Sequence, residues 1–237
     1  MPEHRALWPN DARLFSSDRL PLIRRAVSDL SVLLTRGYPV ESALKLVGDH
    51  YQLRRRQRLV VRRAACSDAA RDSRAQRCCM PDQVLEQAIA IDGFNLLITV
   101  ESLLGGALVY RCRDGSYRDL GSVHGTYRPV SETTRAVELI GATLASLGCG
   151  PVTWMLDRPV SNSGRLSRLL LRVADERGWS WSTELHDSAD RVLLATQAIV
   201  VTSDSAVLDG CGRWLNLVAL LAGDPARQGW VIDLAVS

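Results

Sequence analysis

The chain has 237 residues, 46% of them hydrophobic, with six cysteines and a formal net charge of +3. That length supports a buried core in one large domain or two modest ones. No apolar run approaches the roughly eighteen residues that cross a bilayer, and charges stand where a secretion signal needs an apolar stretch, so a membrane partner is excluded and the cytoplasm is the expected location. Cys66, Cys78, Cys79, Cys112, Cys149 and Cys211 show no paired C-x-x-C spacing, which points to reduced structural thiols rather than a disulfide framework or a zinc site. The charge is uneven: residues 1–82 carry sixteen Lys or Arg against nine Asp or Glu, leaving thirteen against seventeen for the rest.

In chain order, residues 20–35 (LPLIRRAVSDLSVLLT) repeat apolar residues at helical spacing, and Arg36-Gly37-Tyr38-Pro39 stops them. Residues 40–47 read as a short second helix and 52–66 (QLRRRQRLVVRRAAC) as a third, strongly basic one. Three helices with a tight turn between the last two are compatible with a helix-turn-helix unit. Arg54, Arg55, Arg58 and Arg62 share one face of the third helix, suited either to tracking phosphates or to solubilising the surface. The first 66 residues are therefore expected to form a small, basic, all-helical domain. Residues 67–82 (SDAARDSRAQRCCMPD) are polar and small and end at proline, the composition of a linker.

From residue 83 to 237 strands and helices alternate. Expected strands are 88–92 (AIAID), 152–157 (VTWMLD), 181–186 (WSTELH), 198–204 (AIVVTSD) and one near 230–236. A hairpin is expected at 107–120, turning at Asp114-Gly115. Helices are expected after Asp92, over 131–147 with Ser131 as N-cap, and over 164–177, 189–196 and 214–222. Such alternation gives an α/β fold with a doubly wound, mostly parallel sheet, because parallel neighbours need crossover connections.

Three of these strands end in aspartate: Asp92, Asp157 and Asp204. Ligands of open α/β sheets bind beyond the carboxyl ends of the strands, so the three carboxylates are expected to converge there as candidate catalytic groups. Asp190 opens a short helix and joins the catalytic set, and Glu101 lies nine residues after Asp92; Asp187 and Asp209 are alternatives to these two. Clustered carboxylates repel one another unless a cation neutralises them, and oxygen ligands suit Mg²⁺ or Mn²⁺. Any one such Asp also serves as a helix cap or a turn residue.

The segments Ile91-Asp92-Gly93-Phe94-Asn95, Ser188-Ala189-Asp190 and Thr202-Ser203-Asp204 together resemble the PIN-like nuclease superfamily, including its NYN branch. The resemblance implies a parallel sheet carrying acids that bind divalent metal and cleave RNA. It makes Asp92, Asp190 and Asp204 metal ligands with Glu101 as a further counterpart, and Asn95 the polar residue beside them. Many NYN members carry another acid where Ala206 stands. The chain also resembles an uncharacterised prokaryotic family catalogued as domain of unknown function four-three-four, through Arg36-Gly37-Tyr38, Leu46-Val47-Gly48-Asp49, Gln57-Arg58 and the stretch from Ile91 to Asp209.

Two further segments offer phosphate contacts. In the connection from Asp157 to Arg165, Ser161, Ser163 and Arg165 stand at a helix N-terminus, where they bind an anion or simply cap the helix. In 121–128, His124 offers an acid or base, Tyr127 a stacking ring and Arg128 a phosphate contact. The function expected from the sequence is a divalent-metal-dependent phosphodiesterase acting on RNA. The alternatives are a catalytically degenerate nucleic-acid-binding or regulatory protein and an aspartate-nucleophile phosphatase, the last requiring a second Asp where Phe94 stands.

Overall fold

The structure is a computed structural model and describes residues 8–121, 126–223 and 229–235. Helices α1 (Asp11–Leu14), α2 (Leu20–Thr35), α3 (Val40–His50), α4 (Arg55–Ala64) and α5 (Asp68–Arg77) come first. The short strand β1 (Cys78–Cys79) and a 3-10 turn (Pro81–Val84) lead into β2 (Ile89–Asp92), α6 (Gly93–Gly105), β3 (Val109–Arg111) and β4 (Tyr117–Asp119). Then follow α7 (Thr133–Ser146), β5 (Val152–Asp157), α8 (Ser163–Arg177), β6 (Trp181–His186) and α9 (Ala189–Ala195). The chain ends with β7 (Ile199–Val201), α10 (Ser205–Gly210), β8 (Trp214–Leu215), α11 (Leu217–Ala222) and β9 (Val231–Asp233).

Among the described residues there is a six-stranded sheet in the order β1-β8-β7-β2-β5-β6, with every pairing parallel. Its strands alternate between two buried faces, as the period of two requires. Ile89, Ile91, Trp154, Leu156, Ile199 and Val201 pack with side chains of α6, α7, α8 and α11. Ala90, Met155, Val200 and Trp214 pack with Ala189 and Leu193 of α9 and with Val207 and Leu208 of α10. The chain runs from β2 outward through β5 to β6, then crosses to β7 on the other side of β2. This reversal places the ends of β2 and β7 beside a topological switch point, where such sheets open a crevice.

A second, three-stranded sheet has the order β4-β3-β9, with the β3–β4 hairpin antiparallel and β3–β9 parallel. Leu108, Tyr110, Cys112, Ile232 and Leu234 from this region share a core with Ile23, Val27 and Leu30 of α2, Val47 of α3 and Val60 and Val61 of α4. No helix of the described residues is long and apolar enough to cross a membrane. All six cysteines are free.

Several expectations are corrected. The segment read as a linker forms α5, capped by the Ser67 hydroxyl, which accepts from the Ala70 N–H at 3.2 Å. Its buried residue is Arg74 rather than an apolar stripe, so hydrophobic periodicity gave no signal. Residues 214–222 divide into β8 and α11, and the last strand joins the small sheet. The strand expected over 198–204 stops at Val201, and residues 205–210, not assigned to any element, form α10. Ser131 does not cap α7: Glu132 occupies the N-cap, and the Thr133 hydroxyl accepts the Val130 N–H at 2.9 Å.

Candidate active site at the carboxyl ends of the parallel strands

The central strand β2 delivers Asp92 directly into the turn that starts α6. Gly93 makes that turn possible, since a Cβ there would stand 2.9 Å from the Met155 carbonyl oxygen and 2.5 Å from Cδ2 of Leu156. Asp92 is 7% exposed, and the Thr202 hydroxyl at the end of β7 donates to its Oδ2 at 2.7 Å. The same hydroxyl accepts the Asp204 N–H at 3.0 Å, so Thr202 ties the two aspartates together. Asn95 Oδ1 accepts from the Ser203 N–H at 3.2 Å and its hydroxyl at 2.7 Å, fixing α6 against the same turn.

Asp204 caps α10, its Oδ1 accepting the N–H groups of Ala206 at 2.8 Å and Val207 at 3.3 Å. Asp157 uses its Oδ1 to accept the Ala189 N–H at 2.9 Å, orienting the start of α9 where Asp190 follows. Each of these two carboxylates thus has one oxygen anchored by backbone. Among the described residues, no protein hydrogen bond reaches the other.

Asp92, Asp157, Asp190 and Asp204 line one cleft of about 790 Å³. Among the described residues none of the four is ion-paired with an Arg, Lys or His. Burial, opposed by the Thr202 hydrogen bond and reinforced by the charges of Asp190 and Asp204, pushes the Asp92 carboxyl up to about 7. The Asp190 carboxyl is also raised, by burial first and then by Asp204 and Asp157. A carboxylate cluster perturbed in this way in a cleft makes a candidate functional site.

The opposite wall comes from the N-terminal helices and the small sheet, with Arg62 and Arg63 of α4, Cys66, Arg74 of α5, Arg118 of β4 and Asp119. Of the α4 arginines singled out in the sequence, only Arg62 reaches the cleft, where it also pairs with Glu41 at 2.8 Å. Arg58 instead binds Asp49 at 2.8 Å and the Leu53 carbonyl at 3.0 Å. Arg54 and Arg55 are exposed and do not line the cleft. Arg63, Arg74, Arg118 and Asp119 escape a sequence reading because they lie in the supposed linker, in the hairpin and on the flank of α4.

Other expected residues are elsewhere. Glu101 is fully buried in α6, accepting from the hydroxyls of Tyr127 at 2.5 Å and Thr133 at 2.6 Å, and does not line the cleft. Tyr127 is 1% exposed with its ring 5.4 Å from that of Phe94, so it is a core residue and not a stacking platform. Arg128, Ser161 and Arg165 are exposed and Ser163 is buried, and none of the four lines the cleft. His124 lies outside the described residues. Asp209 lines the cleft but is bound by Arg74, and Asp187 pairs with Arg158 at 3.2 Å.

The four aspartates offer only oxygen donors and repel one another, which fits a hard divalent cation. Among the described residues, no three His, Cys, Asp or Glu side chains already converge closely enough to cage one. Asp92, Asp190 and Asp204 are the residues that would hold it, with Asp157 beside them.

Fold and cleft together define an α/β protein with a carboxylate-lined site at the ends of its parallel strands. The chain belongs to the family described as "Domain of unknown function (DUF5616)", whose model matches residues 81–220. Residues 22–77 match a second model, "Protein of unknown function (DUF434)", so the resemblance to that family read across the whole chain is confined to the N-terminal segment. The chain is 30% identical over 189 residues to "Uncharacterized protein MJ0935" of Methanocaldococcus jannaschii, a match covering 78% of this chain and 88% of that protein. No solved structure matches it.

Proposed function

We propose that the cleft is the active site of a divalent-metal-dependent phosphodiesterase acting on RNA, in a PIN-like domain of the NYN type. The observation that carries this reading is the group of four aspartates on one cleft, without a paired cation among the described residues and close enough together that Asp190 and Asp204 raise Asp92. Asp92, Asp190 and Asp204 bind the metal, and Asp157 fixes the turn that presents Asp190. Asn95 holds the Ser203 backbone and so keeps the ends of β2 and β7 in register. A bound Mg²⁺ or Mn²⁺ supplies an activated water and charge neutralisation at a phosphodiester. Arg62 and Arg63 on the facing wall contact substrate phosphates, which makes affinity depend on salt.

A second reading, a nucleic-acid-binding protein that has lost catalysis, is favoured by Ala206. It stands where many NYN members carry an acid, and here its N–H donates to Asp204. An aspartate-nucleophile phosphatase finds less support, because Phe94 occupies the required second acid position and is buried against Tyr127.

The test is incubation of the purified protein with end-labelled single-stranded RNA and Mg²⁺ or Mn²⁺. Cleavage that EDTA abolishes is the expected result. Retained RNA binding without cleavage would favour the second reading instead.

A further inference from the structure

Asp204 does not sit on a strand. β7 stops at Val201 and α10 starts at Ser205, so the position of this carboxylate depends on what holds the turn between them. Two buried guanidinium groups do so. Arg118 of β4 donates from Nε to the Ser203 carbonyl at 2.6 Å. Arg74 of α5 donates from Nη2 to the Ser205 carbonyl at 3.3 Å and binds Asp209, near the end of α10, through Nε at 2.8 Å. The two carbonyls flank Asp204 on either side.

Both arginines also meet on Oδ2 of Asp114, at 2.5 Å from Arg74 and 3.0 Å from Arg118, while Oδ1 accepts the N–H and hydroxyl of Ser116. Arg118 donates its third nitrogen to the Arg63 carbonyl, which links the network to α4. Every guanidinium nitrogen of Arg74 and Arg118 thus has at least one protein acceptor, and both side chains line the cleft while nearly buried. A buried ion triad stabilises a fold little better than apolar residues of the same volume, so its contribution lies in fixed geometry.

We infer that Arg74 and Arg118 are positioning residues for Asp204, and that α5 is a working part of the site rather than a connector to it. Arg74 lies in the segment 22–77 and Arg118 in the segment 81–220, so the two family modules meet in one construction. The inference rests on the reading of Asp204 as a site carboxylate.

Native-state hydrogen exchange tests it without metal or substrate. The reporters are the amides of Ala206 and Val207, which donate to Asp204, and the control is Ala189, which donates to Asp157 in the same cleft. Arg74→Lys keeps a positive charge beside Asp114 but cannot span Asp114, Ser205 and Asp209 together. It is expected to speed exchange at Ala206 and Val207 by about tenfold and leave Ala189 unchanged, as a local opening does. Asp209→Ala removes only the exposed end of the grip, keeps the buried triad and therefore the fold, and is expected to speed the same two amides by a smaller factor. Equal acceleration at Ala189 in both variants, or no acceleration in either, would overturn the inference. Because the readout needs no metal, failure to bind Mn²⁺ or to cleave RNA would count against the metal-site reading and leave the structural role of the two arginines standing.

Discussion

Asp92→Asn is expected to make the metal-free protein more stable than wild type at pH 8, by about 4 kcal/mol, while abolishing metal-dependent cleavage. The gain follows from a carboxyl raised from 3.8 to about 7 in the folded state. Well below pH 3.8 the group is protonated whether the chain is folded or not, and its charge no longer separates the Asp and Asn variants. Between about 4 and 7 the unfolded chain gives up a proton that folded Asp92 retains, so wild-type stability falls as pH rises through that window. Above it the penalty is constant. Asn keeps one acceptor oxygen for the Thr202 hydroxyl while removing the charge. Urea unfolding of both proteins from pH 4 to pH 8 in EDTA measures the difference. Parallel stability curves would mean that Asp92 is not buried among like charges.

The second large effect is expected at Asp114. Asp114→Ala leaves Arg74 and Arg118 buried without their shared counter-ion, a defect that costs about 3–5 kcal/mol. In a chain of this size that lowers Tm by roughly 10 °C, measurable by calorimetry. The side chain of Asp114 is 1% exposed and that of Asp209 is 54%, so Asp209→Ala should cost no more than about 1 kcal/mol. The pH dependence has the opposite sense to that of Asp92. Burial alone would raise the Asp114 carboxyl, but Arg118, Ser116 and Arg74 outweigh it and hold it below the ordinary carboxylate range. Its contribution is therefore present above the unfolded value and is lost as pH falls through the folded one. An Asp114→Ala variant as stable as wild type at pH 7 would show that the triad does not lock the fold.

The alternating pattern after residue 83 made the parallel sheet legible, because AIAID, VTWMLD and AIVVTSD are apolar runs too short for helices and close on aspartate. Those three endings, with Asp190, also led to the cleft. What the sequence hid was the other wall. Arg74 is buried on a helix with no apolar stripe, and Arg118 lies in a hairpin whose DG turn explains its local chemistry without any reference to the site. Asp114 read as a turn former, and it is one, since the Ser116 N–H binds its Oδ1 at 3.0 Å. Its second oxygen serves two arginines distant in sequence, and no local pattern encodes that. Tyr127 and Glu101 failed in the converse way. A polar-rich loop and a helical acid looked available, but they satisfy each other in the core. β1 and β8 have two residues each, too few for any periodicity to declare them.

The central claim is that Asp92, Asp190 and Asp204 form one cation site, and Mn²⁺ binding followed by calorimetric titration at pH 7.5 tests it most directly. Wild type is expected to bind Mn²⁺ stoichiometrically, with the heat lost in an Asp92→Asn, Asp204→Asn double variant that remains folded. Undiminished binding by that variant would place the ion elsewhere and contradict the claim.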